Sequence, residues 1–86
     1  MPEISRFYGM VVAMFFNDHD PPHFHVRYAG FKAILALDTL DVLRGDLPPR
    51  ALSLVREWAR LHAEELQEDW QRARASQPLK WIDPLQ

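Results

Sequence analysis

Two patterns of apolar residues divide the chain near Pro48-Pro49. Before these prolines, short runs rich in Val, Ile, Phe and Tyr are separated by turn residues, as is typical of β-strands. Because Tyr8-Gly9 and Ala29-Gly30 are short enough to be hairpin turns, we predict a small, mainly antiparallel sheet, a meander of four to five strands. The runs that predict these strands are Glu3 to Phe7, Met10 to Phe16, His23 to Tyr28, Phe31 to Leu37 and Leu40 to Leu43.

The second half of the chain predicts one long C-terminal helix packed on the sheet. Pro48-Pro49 suit the first positions of a helix, where a missing N–H costs nothing, and apolar residues then recur at spacings of three and four up to about Ala75. Gln77-Pro78 ends the helix, and Leu79 to Ile82 is expected to return as a short edge strand. Strands followed by a helix predict a single α+β domain over residues 1–86.

The second predicted strand is apolar on both of its faces, as expected for a central strand. One helix covers only one face of a sheet. The other apolar face is therefore expected to bind a protein partner or a second copy of the chain, because large exposed apolar patches mark interaction surfaces. The alternative is that the loop after Phe16 and the C-terminal tail fold over it.

The composition of the chain limits the metal ligands, partners and cellular locations that can be expected. The chain has no cysteine, so any metal ligand must be His, Asp or Glu. A formal net charge of −2 gives little general attraction to nucleic acid, which leaves nucleic acid as a transient substrate. The run Met10 to Phe16 is the longest apolar one and is too short to span a bilayer, and the first residues do not resemble a signal peptide. We expect a cytoplasmic protein without membrane contact.

Three of the four histidines lie in the segment Asp18-His19-Asp20-Pro21-Pro22-His23-Phe24-His25-Val26-Arg27. Alternate residues of a strand share a face, so His23, His25 and Arg27 are predicted to line one side of the strand, away from the core. The two successive prolines stiffen the approach to this strand. The side chains are therefore expected to be ordered, as metal binding and acid–base catalysis both require.

A metal site is the first interpretation of this segment. A His-x-His pair on a strand aims two imidazoles at one point, which makes His23 and His25 candidate ligands. His19 is the third candidate, and Asp18 or Asp20 offers an oxygen ligand in the same loop. This mixture of donors suits zinc or another first-row divalent ion.

Two further interpretations need no metal or other cofactor. In one, His23 and His25 act as general base and general acid near neutral pH while Arg27 neutralises a phosphate, as cleavage of RNA through its own 2′-hydroxyl requires. In the other, the segment is structural, with Asp18 and Asp20 accepting backbone hydrogen bonds in a turn. The residues alone leave all three interpretations open.

A fourth histidine lies on the predicted helix. His62, Glu65 and Asp69 fall on the same arc of the helix as its apolar residues. Buried acids are rare unless they are paired, so we expect the helix to overhang the sheet at this point and leave these side chains in solvent. The alternative is that they meet basic groups such as Arg6 or Arg27.

The chain resembles a bacterial family named domain of unknown function 4160. The residues that carry the resemblance are Phe15 to Tyr28, Pro2 to Gly9, Glu57-Trp58, His62, Glu65-Leu66 and Trp70. The resemblance covers nearly the whole chain and implies a gene context like that of toxin–antitoxin modules, often beside a partner named domain of unknown function 2442. It therefore favours a toxin-like protein with an antitoxin-like partner. The alternative is a non-enzymatic interaction module whose histidine segment is structural.

Overall fold

The computed structural model describes residues 2–86. Within these residues, five antiparallel strands form one sheet in the order of the sequence, and two helices follow. The α+β class and the antiparallel meander are thus confirmed. The elements are β1 (Glu3–Phe7), β2 (Met10–Ala13), β3 (His23–Tyr28), β4 (Phe31–Ala36), β5 (Val42–Gly45), α1 (Pro49–Leu61) and α2 (Ala63–Arg74). Neither helix combines the length and the apolar character that crossing a membrane requires.

The prediction of one long helix is wrong, because the helix is interrupted at His62. This residue ends α1 and precedes α2 with φ −118° and ψ 31°, outside the helical range. Its ring packs 5.8 Å from that of Trp58, and its Nδ1–H donates to Glu65 Oε1 at 2.6 Å. The apolar spacing continues through the break because both helices bury one stripe, so periodicity alone does not reveal it.

The predicted C-terminal edge strand is also wrong. Residues 75–86 form neither helix nor strand. A single backbone hydrogen bond, from Ile82 N–H to the Ile4 carbonyl at 2.7 Å, joins this tail to β1, and one bond does not make a ladder. The indole N–H of Trp58 donates to the Asp83 carbonyl at 2.8 Å and fixes the tail further along.

The burial of Asp69 contradicts the expected overhang of the helix, whereas the exposure of Glu65 agrees with it. Asp69 is fully buried, and its Oδ1 accepts hydrogen bonds from Arg72 Nη1 at 3.1 Å and from the Lys80 backbone N–H at 2.9 Å. These two bonds offset part of the cost of burying the carboxylate, whose Oδ2 has no hydrogen-bond partner among the described residues. Asp69 therefore attaches the tail to α2, while Glu65 remains exposed.

The core lies between the helices and one face of the sheet, here called the inner face. Trp58 of α1 is fully buried, with its ring centroid 5.3 Å from that of Phe7 and 6.2 Å from that of Phe24. Burying large apolar side chains of this kind contributes roughly 1.5–3 kcal/mol each. The helices are therefore attached to the sheet mainly by apolar packing around Trp58.

The opposite side of the sheet is here called the outer face. Along β3, Phe24 and Val26 point into the core while His25 and Arg27 lie on the outer face, as the alternation predicts. His23 was also expected away from the core but is buried, with its ring 5.3 Å from that of Trp70. Cross-strand pairing brings the following residues to this face: Arg6, Val11, Ala13, His25, Arg27, Lys32, Ile34 and Arg44. The outer face is thus a mixture of basic and apolar side chains rather than an apolar surface.

Candidate metal centre

Strand β2 is shorter than predicted. It ends at Ala13 rather than at Phe16, although the next two side chains continue the alternation between the core and the outer face. Met14 is fully buried in the core, and Phe15 packs nearly at right angles to the ring of His25, with 4.5 Å between centroids. The apolar run therefore extends the packing without extending the strand.

The loop that follows turns back at Asn17. This residue has φ 56°, a left-handed conformation that Asn adopts more readily than most residues. Its backbone N–H donates to the Ala73 carbonyl near the end of α2 at 3.1 Å. The reversal brings Asp18 beside the first residues of β3, so a loop residue meets two strand residues.

Three side chains converge there and are here called the Asp18–His23–His25 cluster. Asp18 Oδ2 lies 2.8 Å from Nε2 of His23 and 3.4 Å from Nε2 of His25. One ligand atom from each of the three residues lies within 4.8 Å of the other two. Neighbouring aromatic side chains hold both imidazole rings. The His23 ring is buried, with its centroid 5.3 Å from that of Trp70, and the His25 ring packs against Phe15. The nitrogen and oxygen atoms that could bind a metal ion are therefore held in place by the fold itself.

The Pro21 carbonyl determines which nitrogen of His23 carries a proton. Nδ1 lies 2.7 Å from Pro21 O, and a carbonyl oxygen only accepts, so Nδ1–H must donate. A neutral His23 then turns an unprotonated Nε2 toward Asp18 Oδ2, which places two acceptors in contact. Such a contact requires either a proton between the two atoms or a metal ion that binds both. Donation from the other ring nitrogen to a backbone carbonyl is also the usual arrangement of histidine ligands.

Two groups in the cluster have shifted pKa values. Burial raises the pKa of the Asp18 carboxyl, but the backbone N–H of His19 and the His23 imidazole outweigh burial and hold this pKa below its usual range. Burial lowers the pKa of His25, and this effect exceeds the opposing effect of Asp18. At neutral pH Asp18 is therefore ionised and His25 is neutral, which are the forms that bind metal ions.

The spacing of the donor atoms suits a small divalent ion. Zinc binds nitrogen and oxygen at about 2.0–2.2 Å, so neighbouring ligand atoms lie roughly 3.3 Å apart in a tetrahedral site and about 3 Å apart in an octahedral one. The two contacts of Asp18 Oδ2, at 2.8 and 3.4 Å, match these values. The full cluster spans up to 4.8 Å, and the side chain of His25 is 26% exposed, which leaves it room to close on an ion.

Two candidate ligands from the loop lie outside the cluster. The side chain of His19 is 93% exposed, and its Nδ1 lies 3.5 Å from Asp18 Oδ1 rather than beside the other imidazoles. Its backbone N–H instead donates to Asp18 Oδ1 at 3.0 Å. Asp20 is exposed and pairs with Arg74 at 3.0 Å. Of the two acids considered in the sequence, Asp18 is the one that meets the histidines.

The remaining candidates lie apart from one another. Arg27 is exposed on the outer face, two residues beyond His25 on β3. His62 makes its contacts with Trp58 and Glu65 and is not part of the cluster. The structure thus joins two of the four histidines with one carboxylate.

The fold and the site define a small α+β protein in which a five-stranded meander carries a histidine–carboxylate cluster where a loop covers the sheet. The family model described as Domain of unknown function (DUF4160) matches residues 9–71 of the 86. The chain belongs to this family, which confirms the resemblance seen in its sequence. No curated protein and no solved structure matches the chain.

Proposed function

We propose that the chain is a metal-dependent hydrolase whose ion is bound by Asp18, His23 and His25. The observation that carries the proposal is the contact of His23 Nε2 with Asp18 Oδ2. The Pro21 carbonyl accepts the hydrogen bond of Nδ1–H, so a neutral His23 turns an unprotonated Nε2 toward the carboxylate, where a metal ion can join the two atoms. Two imidazoles and one carboxylate suit a first-row divalent cation, and zinc is the favoured ion.

Three protein ligands leave at least one coordination position open, as in catalytic rather than structural zinc sites. A divalent ion with an open position lowers the pKa of bound water and polarises an oxygen of the substrate. The side chain of His25 is more exposed than that of His23, so substrate would approach from its side. Arg27 lies about 7 Å further along the same face, as two residues of a strand do, and would neutralise an anionic group such as phosphate.

The proposed cellular role is that of a toxin-like component of a two-gene module. The family resemblance supports this role through the gene context that it implies. A small hydrolase that acts on an essential polymer in the cytoplasm harms its host unless a partner blocks it. We therefore also propose an antitoxin-like protein partner.

Two other functions each have one observation in their favour. A metal-free ribonuclease is favoured by the neutral His25, which is suited to act as a general base beside Arg27. A non-enzymatic interaction module is favoured by the hydrogen bonds of His23 to Asp18 and Pro21, which would hold the loop on the sheet without any catalysis.

An assay with a ribonucleoside 3′-nitrophenyl phosphate separates these functions, because this substrate releases nitrophenol and keeps the 2′-hydroxyl that the metal-free reaction requires. We expect the untagged protein to hydrolyse it, to lose the activity to a chelator and to regain it with zinc. His25→Ala should lower the rate at least ~100-fold, since loss of a ligand should exceed the effect of losing an outer-shell partner. His19→Ala is the matched control and should keep the activity. Activity that resists the chelator but is lost in His25→Ala would contradict the metal proposal and support the metal-free reaction.

Induction in a bacterial host tests the cellular role. The wild type should arrest growth and degrade RNA, whereas His25→Ala should do neither. Equal growth and intact RNA in both cultures would rule out the toxin role and support the interaction module.

A further inference from the structure

We propose that the outer face binds single-stranded nucleic acid in a basic groove beside the Asp18–His23–His25 cluster. Cleavage of the bound strand rests on the proposed metal centre, but binding does not. The groove has a volume of about 390 Å³. The side chains that matter for binding are Phe15, His25, Arg27, Lys32, Ile34 and Arg44, all of which line it.

The strand register places the cations of the groove side by side. Arg27 of β3 is paired with Lys32 of β4. The next row across the sheet runs from His25 through Ile34 to Arg44. Paired residues lie about 5 Å apart and successive residues of one face about 7 Å apart, so the three cations can contact neighbouring phosphates of one strand. His25, which belongs to the cluster, lies at the edge of this basic area.

The three cations lack acidic partners in the structure. Within residues 2–86, neither Lys32 nor Arg27 nor Arg44 forms a salt bridge. Glu3 reaches the same face from β1, where the charge of Arg27 acts on its carboxylate, but its salt bridge is with Arg6 at 2.6 Å. Like charges directly opposite each other, as in the pair Arg27–Lys32, destabilise a sheet. A bound polyanion offsets this repulsion, which is a physical reason for the pair to be present.

The apolar floor of the groove favours a single strand over a duplex or an acidic peptide. Phe15 and Ile34 lie among the cations, and Phe15 is held nearly perpendicular to His25. Unpaired bases expose flat faces that stack on such side chains, whereas the bases of a duplex are stacked inside it. An acidic peptide would neutralise the cations but has no flat base to place between them.

Affinity should depend steeply on salt for a protein of formal net charge −2, since only the local cations attract the strand. Each phosphate contact to a single strand contributes about −0.7 to the slope of log K against log salt, so three contacts predict a slope of about −2.

The test is fluorescence anisotropy. A short labelled RNA of about ten nucleotides, within the usual site size, is titrated with the untagged protein in a buffer that contains a chelator, which prevents metal-dependent cleavage. The wild type should bind with the slope of about −2, and Arg44→Ala should weaken binding several-fold and reduce the slope by about 0.7. Lys32→Ala should do the same. Arg60→Ala removes an exposed cation from α1 with the same change in net charge and should leave both quantities unchanged. Urea unfolding of each variant checks that the fold is intact.

Three results would overturn the proposal: no binding at low salt, equal losses in Arg60→Ala and Arg44→Ala, or equal binding of a polyglutamate peptide, which would point to an acidic protein partner. His23→Ala separates the two proposals, because it should lose zinc yet still bind the RNA. If this variant binds neither zinc nor RNA while its urea unfolding is that of a folded protein, the groove does not act independently of the cluster and the inference fails.

Discussion

Replacing His23 with Ala should abolish tight zinc binding by the untagged protein, with affinity falling at least ~100-fold. The variant loses the most buried imidazole of the cluster, whose Nδ1–H is oriented by the Pro21 carbonyl and whose Nε2 faces Asp18. The wild type should bind one zinc ion, as measured by competition with a chromophoric chelator.

Three further variants make this result specific. Because His23 is buried, its truncation also leaves a cavity, so Asp18→Asn and His25→Ala provide the same test at more exposed positions. Both should lose zinc while their unfolding remains cooperative. His19→Ala removes an imidazole from the same loop, and its side chain is almost fully exposed, so it should bind zinc like the wild type. Loss of zinc in this control equal to that in His25→Ala would show that the loop binds metal without the geometry of the cluster.

Gly45→Ala should remove at least ~3 kcal/mol of the free energy of unfolding, a large share for a domain of this size. Gly45 has φ 77°, and a Cβ atom there would collide with the Lys32 carbonyl oxygen. The left-handed conformation alone costs about 1–2 kcal/mol for Ala. The same carbonyl accepts the Asp46 N–H at 3.0 Å, so relief of the collision would also separate β5 from β4.

Gly30→Ala is the matched control for this substitution. Gly30 has no positive φ, and a Cβ atom there would meet nothing within 4 Å. The free energy of unfolding of Gly30→Ala should stay the same or rise by up to ~1 kcal/mol, because Ala restricts the conformations of the unfolded chain. Urea unfolding measures both variants, and similar losses in the two would show that the β4–β5 connection is not the constrained part of the sheet. Since Gly45 follows Arg44, Gly45→Ala should also weaken RNA binding.

The sheet was predictable because its tight turns depend on residues that are adjacent in the sequence. Tyr8 and Gly9 both adopt positive φ, 48° and 80°, as a tight turn between twisted strands requires. The strands beside such turns need only their own alternation and the adjoining hairpin. β5 was less well predicted, and lies at Val42–Gly45 instead of Leu40 to Leu43, because its start depends on a turn with Leu40 at φ 63° that has no Gly or Asn to signal it.

The break between the two helices and the burial of Asp69 were not predictable from the sequence. The helix is interrupted at His62 without Gly or Pro, and only the ring of Trp58 and the carboxylate of Glu65 mark the place. Asp69 was expected in solvent because acids are seldom fully buried, and the Lys80 backbone N–H that donates to its Oδ1 lies in a tail with no regular structure.

The candidate site was likewise predictable only in part. The proximity of His23 and His25 was predictable from their spacing along β3, whereas the burial of His23 was not. The choice of Asp18 over Asp20 and His19 depends on the loop reversal at Asn17. The hydrogen bond that holds this reversal is donated by the Asn17 N–H and accepted by the Ala73 carbonyl, far along the chain. Nothing local distinguishes the two acids, so the third ligand emerged only from the fold.

The most direct test of the central claim is a crystal structure of the untagged protein with one equivalent of zinc, with the ion located by its anomalous scattering. The account predicts a single peak about 2.0–2.2 Å from His23 Nε2, His25 Nε2 and Asp18 Oδ2, with Nδ1–H of His23 still donating to Pro21 and at least one open position toward the groove. A zinc ion bound elsewhere, or a cluster in which His23 still contacts Asp18 directly with no ion between them, would contradict it.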